Sequence, residues 1–277
     1  MKSASYTEVE GLGLSDPAAP AETNLSNEAP ILVINHLSAV FSNGLSGLKA
    51  LEDLTFSVYP HQFLCVLGPS GSGKSTLLRI LAGLLPPTRC EVLFSDEQVE
   101  GPRRGVGLVF QKANLMPWRT VLENILLPME VLNVPRSIGL QRARNLVQLV
   151  GLEGFENVLP RDLSGGMAQR VAIARALVHD PDVLLLDEPF GSLDALTRER
   201  MAKELLHIWQ LRKKTVVMVT HSINEALFLA DRVLVLTPRP GQIRLDLTVD
   251  LPRPRDEEIF YTVEFGHLSR QLRAAIG

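Results

Sequence analysis

Six short apolar runs mark the chain: "ILVINHL" near residue 31, "FLCVL" at 63, "GVGLVF" at 105, "DVLLLDE" at 182, "TVVMVT" at 215 and "RVLVLT" at 232. The last five are apolar almost throughout, which predicts parallel strands covered on both faces. Helical spacing alternates with some of them. In "TRERMAKELLHIWQLRKK", Met201, Leu205, Ile208 and Trp209 fall on one face. Strands alternating with helices predict the α/β class.

The rhythm breaks between about 112 and 164. "TVLENILLPMEVL" and "LQRARNLVQLVGL" have helical spacing with no strand between them, and Pro117, Pro128, Pro135 and Pro160 punctuate the stretch. It reads as a helical lobe inserted between two strands. After residue 240, "IRLDLTVDLP" alternates weakly, as a surface strand does, and "HLSRQLRAAI" predicts a short closing helix. Residues 1–29 are rich in Ser, Ala, Pro and Glu, lack the apolar stretch of a secretory signal, and read as a flexible tail. The expected division is therefore a tail over 1–29, a main domain over 30–250 and an extension over 251–277.

The chain has 277 residues, enough for one large domain or a domain with an inserted lobe. Lys plus Arg number 28 against 31 Asp plus Glu, a net charge of −3, which argues against a nucleic-acid binder that works through a basic face. No run reaches the roughly 18–20 apolar residues that span a bilayer. The two cysteines, Cys65 and Cys90, fit a reducing compartment. Any work at a membrane is expected from its side.

"GPSGSGKST" directly follows the apolar run at 63. Gly68, Pro69, Ser70, Gly71, Ser72, Gly73, Lys74, Ser75 and Thr76 contain G-x-x-x-x-G-K-[ST] and precede the helical pattern "STLLRILAGLL". Glycines permit positive φ and let backbone N–H groups converge on phosphate oxygens. The helix adds its positive end. Lys74 can bridge β- and γ-phosphates, and the Ser75 hydroxyl can ligate Mg²⁺. Small-molecule kinases, GTPases, helicases and transporters all use such a loop.

The run at 182 ends in Asp187 and Glu188. Ligands of doubly wound sheets sit at the carboxyl ends of strands, which puts both acids beside the loop. Asp187 is expected to hold Mg²⁺, and Glu188 to accept a proton from an attacking water. A second glycine-rich helix start, "LSGGMAQRVAIARALV", presents Ser164, Gly165 and Gly166 ahead of an apolar face with Met167, Val171, Ala174 and Val178. A serine there is an ordinary N-cap; two following glycines also bare N–H groups for an anion.

"LSGGMAQR", about 20 residues before the acid pair, resembles the signature motif of ABC-type ATPases. Other marks of that family follow in order. Gln111 in "VFQKANLMPW" matches its Q-loop, Asp194 in "GSLDA" its D-loop, His221 in "VTHS" its switch histidine, and Phe41 in "SAVFSNG" the aromatic that stacks on adenine. The resemblance covers about 30–250. It implies a P-loop ABC ATPase core with a mainly parallel sheet, antiparallel N-terminal strands and an inserted helical lobe. It further implies ATP and Mg²⁺ as cofactors and a homodimer closing head to tail, so that ATP on Gly68–Thr76 of one copy meets Ser164, Gly165, Gly166 and Met167 of the other. His221 then contacts the γ-phosphate and supports Glu188. Gln111 touches Mg²⁺ or the attacking water. Taken alone, His221 is also a candidate core or capping histidine, Gln111 a plain strand-end polar group and Phe41 a core residue.

Within that family, "LMPWRTVLENI", "LDEPFGSLDALTRERM", "EALFLADRVLVLTPRPG" and "LPRPR" resemble importer ATPases serving nitrate, sulfonate, taurine and related solutes. This implies integral membrane permease subunits as partners, a solute-binding protein indirectly, no nucleic acid, and a peripheral place on the cytoplasmic face of the membrane. Met116, Pro117 and Trp118 are candidates for the groove that receives a permease helix; Trp118 packing inside its own lobe is the alternative. The ATPase of an exporter or of a non-transport ABC complex is the competing function. A DNA-repair ABC ATPase needs a long coiled coil, and no sustained heptad run exists here. The sequence departs from the family at His61-Gln62 (usually Gly-Glu), Cys90 (usually Gly, which leaves that turn in question) and Ser222 (usually Asp).

Overall fold

The computed structural model describes residues 28–43, 46–191 and 193–277. Most of the expected tail thus lies outside the described residues. Strands β1 (Leu32–Asn43) and β2 (Ser46–Val58) pair antiparallel; β3 (Phe63–Leu67), the glycine loop and helix α1 (Lys74–Leu81) follow. Strands β4 (Arg89–Phe94) and β5 (Glu97–Gln98) return to β1, giving a four-stranded antiparallel sheet in the order β2-β1-β4-β5. Then come β6 (Val106–Val109), α2 (Val121–Val131), α3 (Arg136–Leu149), a 3-10 turn at Pro160–Asp162, α4 (Gly165–Leu177), β7 (Val183–Asp187), α5 (Ala195–Arg212), β8 (Thr215–Thr220), α6 (Ile223–Leu229), β9 (Arg232–Leu236) and β10 (Ile243–Thr248). A second 3-10 turn, Glu257–Tyr261, leads into α7 (Val263–Ile276). The larger sheet has the order β10-β9-β3-β8-β7-β6; all its pairings are parallel except β10 on β9.

The apolar runs do what two-sided burial requires. Every residue of β3, β7 and β8 is buried, and alternate residues enter different cores. Phe63, Cys65, Leu67, Leu184, Leu186, Val216 and Met218 face α2 to α7; Leu64, Val66, Val183, Leu185, Val217 and Val219 face α1 and the antiparallel sheet. Each fully buried large side chain contributes about 1.5–3 kcal/mol relative to exposure. β10 has one half-buried and one exposed face, as its weak alternation predicts. Among the described residues no helix is long and apolar enough to cross a membrane.

Three local expectations are corrected. Pro128 does not punctuate the lobe: it lies inside α2, where burial of Ile125, Leu126 and Met129 holds the helix together and Leu132 N still reaches Pro128 O at 3.0 Å. The closing helix begins four residues early, at Val263, because Thr262 caps it by accepting from Phe265 N. Cys90 is on β4 rather than in a turn, at the register shift of β4 on β1. His61 takes φ 62°, the left-handed conformation that favours glycine, which explains why glycine is usual there. Residues 251–277 fold against the larger core: Leu251, Ile259, Phe265 and Leu272 are buried with α6 and β9.

Candidate nucleotide site

The carboxyl ends of β3, β7 and β8 meet at one edge of the sheet, and the site forms there. β3 delivers Gly68–Gly73, with Gly71 at φ 80° and Gly73 at φ 94°. A Cβ on Gly73 would lie 2.5 Å from Leu51 Cδ2 and 2.8 Å from Ala50 O, so the loop needs glycine for space as well as for backbone angle. Among the described residues α1, like α3, starts with no side-chain cap, whereas Thr120, Ser164, Asp194, Ser222 and Thr262 cap α2, α4, α5, α6 and α7. The N–H groups of its first turn are therefore open to an anion. Ser72 Oγ is buried with no hydrogen-bond partner among the described residues. Lys74 Nζ folds back onto the loop, donating to Gly68 O at 2.8 Å and Pro69 O at 3.0 Å. Burial lowers the Lys74 pKa, against the pull of Glu188 and Asp187.

Ser75 Oγ donates to Asp187 Oδ1 at 2.9 Å. This hydroxyl and carboxylate are the oxygen donors a small divalent cation takes, with phosphate oxygens and waters completing its shell. Burial raises the Asp187 carboxyl; the Ser75 hydrogen bond opposes the rise and Glu188 adds to it. Among the described residues no group of three or more His, Cys, Asp or Glu converges.

Glu188 follows β7 in the left-handed conformation, φ 44°, with its N–H bonded to Val219 O at 3.0 Å. Such a backbone in a non-glycine residue is strain held by its surroundings. It brings Oε2 to 3.4 Å from Gln111 Nε2 and 3.2 Å from His221 Nδ1. The structure thus brings together three residues from the ends of three different strands. A cleft of about 370 Å³ opens over the loop, lined by Phe41, Ser70, Gly71, Gly73, Lys74, Ser75, Thr76, Gln111 and Glu188. Phe41 is 38% exposed on its wall and is not core.

The remaining candidates lie elsewhere. Among the described residues none of Ser164, Gly165, Gly166 and Met167 lines that cleft. Ser164 Oγ caps its own helix, 3.2 Å from Met167 N. A Cβ on Gly166 would press Thr197 Cγ2 at 3.1 Å, so this glycine also lets α4 approach α5 closely. Asp194 caps α5, accepting from Thr197 N at 3.0 Å and Thr197 Oγ1 at 2.6 Å. Trp118 is 72% exposed, so it does not pack inside its lobe.

Sequence reasoning missed Arg239, Asn124 and Arg175. Arg239, from the β9–β10 turn, donates through Nε to Gly71 O at 3.3 Å and lines the cleft. Buried Asn124 accepts from Met116 N at 2.8 Å and donates to the carbonyls of Met116, Arg119 and Thr120, fixing the loop that carries Trp118. Arg175 of α4 donates to Ala113 O at 2.7 Å and Asn114 O at 2.9 Å. An arginine set among the apolar residues of "IARALV" was the available signal; the other two needed the fold.

The sequence model of the ABC transporter family matches residues 51–191. An uncharacterized ABC transporter ATP-binding protein of Methanocaldococcus jannaschii is 49% identical, over 84% of this chain and 88% of its own length. The aliphatic sulfonates import ATP-binding protein SsuB of Bacillus cereus is 43% identical, over 81% of this chain and 88% of its own. Among solved structures, a dimeric ATP-binding cassette in a post-hydrolysis state bound to ADP and Pi superposes with a TM-score of 0.71 at 32% identity, covering 80% of this chain and all of that one. This chain belongs to the ABC transporter family.

Proposed function

We propose that this chain is the ATP-hydrolysing subunit of an importer, acting as a homodimer on the cytoplasmic face of the membrane and driving a separate permease that carries a small solute of the sulfonate, nitrate or taurine kind. The observation that carries the ATPase reading is the meeting of Gln111, Glu188 and His221 at the open end of the phosphate loop. The likeness to a sulfonate import subunit supports the direction of transport and the solute class.

In this reading the N–H groups of Gly71, Gly73, Lys74 and Ser75 and the Lys74 ammonium hold the phosphates, and Phe41 stacks on adenine; Ser72 N already bonds Pro69 O. Lys74 leaves its two loop carbonyls to do so. Ser75 and Asp187 would hold Mg²⁺, with Gln111 as a further candidate ligand, and the ion would supply neutralisation of phosphate charge. Glu188 Oε2 takes the proton of a water positioned in line with the γ-phosphate. His221 fixes that carboxylate and reaches the γ-phosphate. Ser164, Gly165 and Gly166 offer a second anion cradle to the ATP of the other copy, which accounts for a cradle outside the cleft. Asp194 holds the turn between that cradle and α5.

The permease reading is supported by an apolar groove of about 650 Å³ between the edge of the larger sheet and the lobe, lined by Phe110, Met116, Leu127, Val131 and Leu132. The loop that carries Gln111 forms one rim, and Arg175 and Asn124 tie it to α4 and α2. Occupancy of the ATP site and the shape of the groove are thereby linked. Purified chain is expected to hydrolyse ATP only with Mg²⁺. Trp118 is not among the residues that line the groove, whereas exposed Val131 is; Val131→Asp is expected to keep that activity in isolation and to lose co-purification with the permease. Absence of hydrolysis in the unaltered chain contradicts the ATPase reading; retained co-purification contradicts the groove.

A further inference from the structure

Behind the switch histidine runs a buried polar chain that the ATPase chemistry above does not use. Glu225, in the first turn of α6, is 8% exposed. Thr220 Oγ1 donates to Glu225 Oε2 at 2.5 Å, and the same hydroxyl accepts from Ser222 N at 3.1 Å. Ser222 Oγ accepts from Glu225 N at 3.3 Å. His221 stands between Thr220 and Ser222, so these bonds fix the backbone on both sides of it.

On the far side of Glu225 stands Arg198 of α5. Its Nη2 donates to Leu193 O at 3.1 Å, one residue before the Asp194 cap. Its Nε lies 3.7 Å from Glu225 Oε1, beyond hydrogen-bond range, and although buried has no hydrogen-bond partner among the described residues. A charge-assisted N–H···O bond settles near about 2.7–2.9 Å. The pair is therefore within roughly an ångström of a bond whose absence leaves a buried donor unsatisfied. The start of α5 also touches the second glycine pair: a Cβ on Gly165 would meet Leu193 Cδ2 at 3.6 Å, and one on Gly166 would meet Thr197 Cγ2 at 3.1 Å. Burial raises the Glu225 carboxyl, and Thr220 and then Arg198 act against the rise.

We infer that Glu225 is a positioning residue: when two copies close, the Arg198–Glu225 bond completes and carries the movement of the Leu193–Asp194 turn to Thr220, Ser222 and so to His221. The device lets one copy's signature region set the other end of its own active site. It rests on the ATPase reading proposed above.

Glu225→Gln keeps the side-chain volume, the Ser222 cap and an acceptor for Thr220, and removes the charge facing Arg198. It is expected to lower kcat about tenfold while leaving the KM for ATP within about twofold. Arg198→Met should give the same loss, the double variant no more than either alone, and Arg198→Lys should recover part of the rate. Unchanged kcat, or losses that add in the double variant alongside a falling Tm, overturn the inference. Should Glu225→Gln fail to fold, Arg198→Met against Arg198→Lys makes the same comparison. An unaltered chain that hydrolyses no ATP sinks the ATPase reading; an active one indifferent to Glu225→Gln sinks this inference alone.

Discussion

His221 Nδ1 sits 3.2 Å from Glu188 Oε2, although the two residues end different strands. The contact joins β7 to β8 beside the cleft over the glycine loop, which Glu188 lines, and in the proposed ATPase reading it faces the γ-phosphate. Glu188→Gln preserves the shape of the side chain and removes its basicity. It is expected to bind MgATP normally and to turn over about 10²–10⁴-fold more slowly. His221→Ala should lose turnover with little change in nucleotide affinity. Steady-state hydrolysis beside fluorescent-nucleotide binding checks both.

Lys74 has two carbonyl partners within its own loop. Lys74→Ala removes the mobile charge and takes that donor from the two carbonyls, so loop stability is followed alongside binding. Its ATP affinity should fall at least about tenfold, the cost of losing one charged hydrogen bond to phosphate. Titration by isothermal calorimetry, with a thermal melt as control, reads this; unchanged affinity contradicts the cradle.

Much of this site was legible in the sequence because its chemistry depends on short contiguous stretches. The loop at Gly68–Thr76, the strand-end acids and the capped start of α4 are each local. The antiparallel sheet was not legible in the same way: β2 and β4 carry polar residues on their outer faces and have no continuous apolar run. Arg239 was hidden for a different reason. It reaches the loop from 168 residues away in sequence, and spacing within a motif holds no trace of such a contact. The dual roles of Gly166 and Asp194, in packing and capping α5, likewise appear only once α4 and α5 are seen side by side.

Asn124 is fully buried and makes bonds to four backbone groups between Met116 and Thr120. Asn124→Ala takes the side-chain partner from Met116 N and Arg119 O, while Met116 O and Thr120 O keep the backbone donors Arg119 N and Asn124 N. A loss of about 1–3 kcal/mol in stability is expected, read by urea denaturation. The groove rim should loosen with it, so that hydrogen exchange quickens over 113–120 and leaves β3 and β8 protected.

The central claim is that ATP is held between two copies of this chain, by the phosphate loop of one and the signature glycines of the other. Light scattering of Glu188→Gln with MgATP measures this most directly, repeated with Ser164→Arg added. The account predicts a doubled mass with two nucleotides bound per pair, a return to single chains when Mg²⁺ is chelated, and single chains that still bind ATP once Ser164→Arg blocks the interface. A chain that stays single with MgATP bound, or a pair that forms equally well with Ser164→Arg, contradicts it.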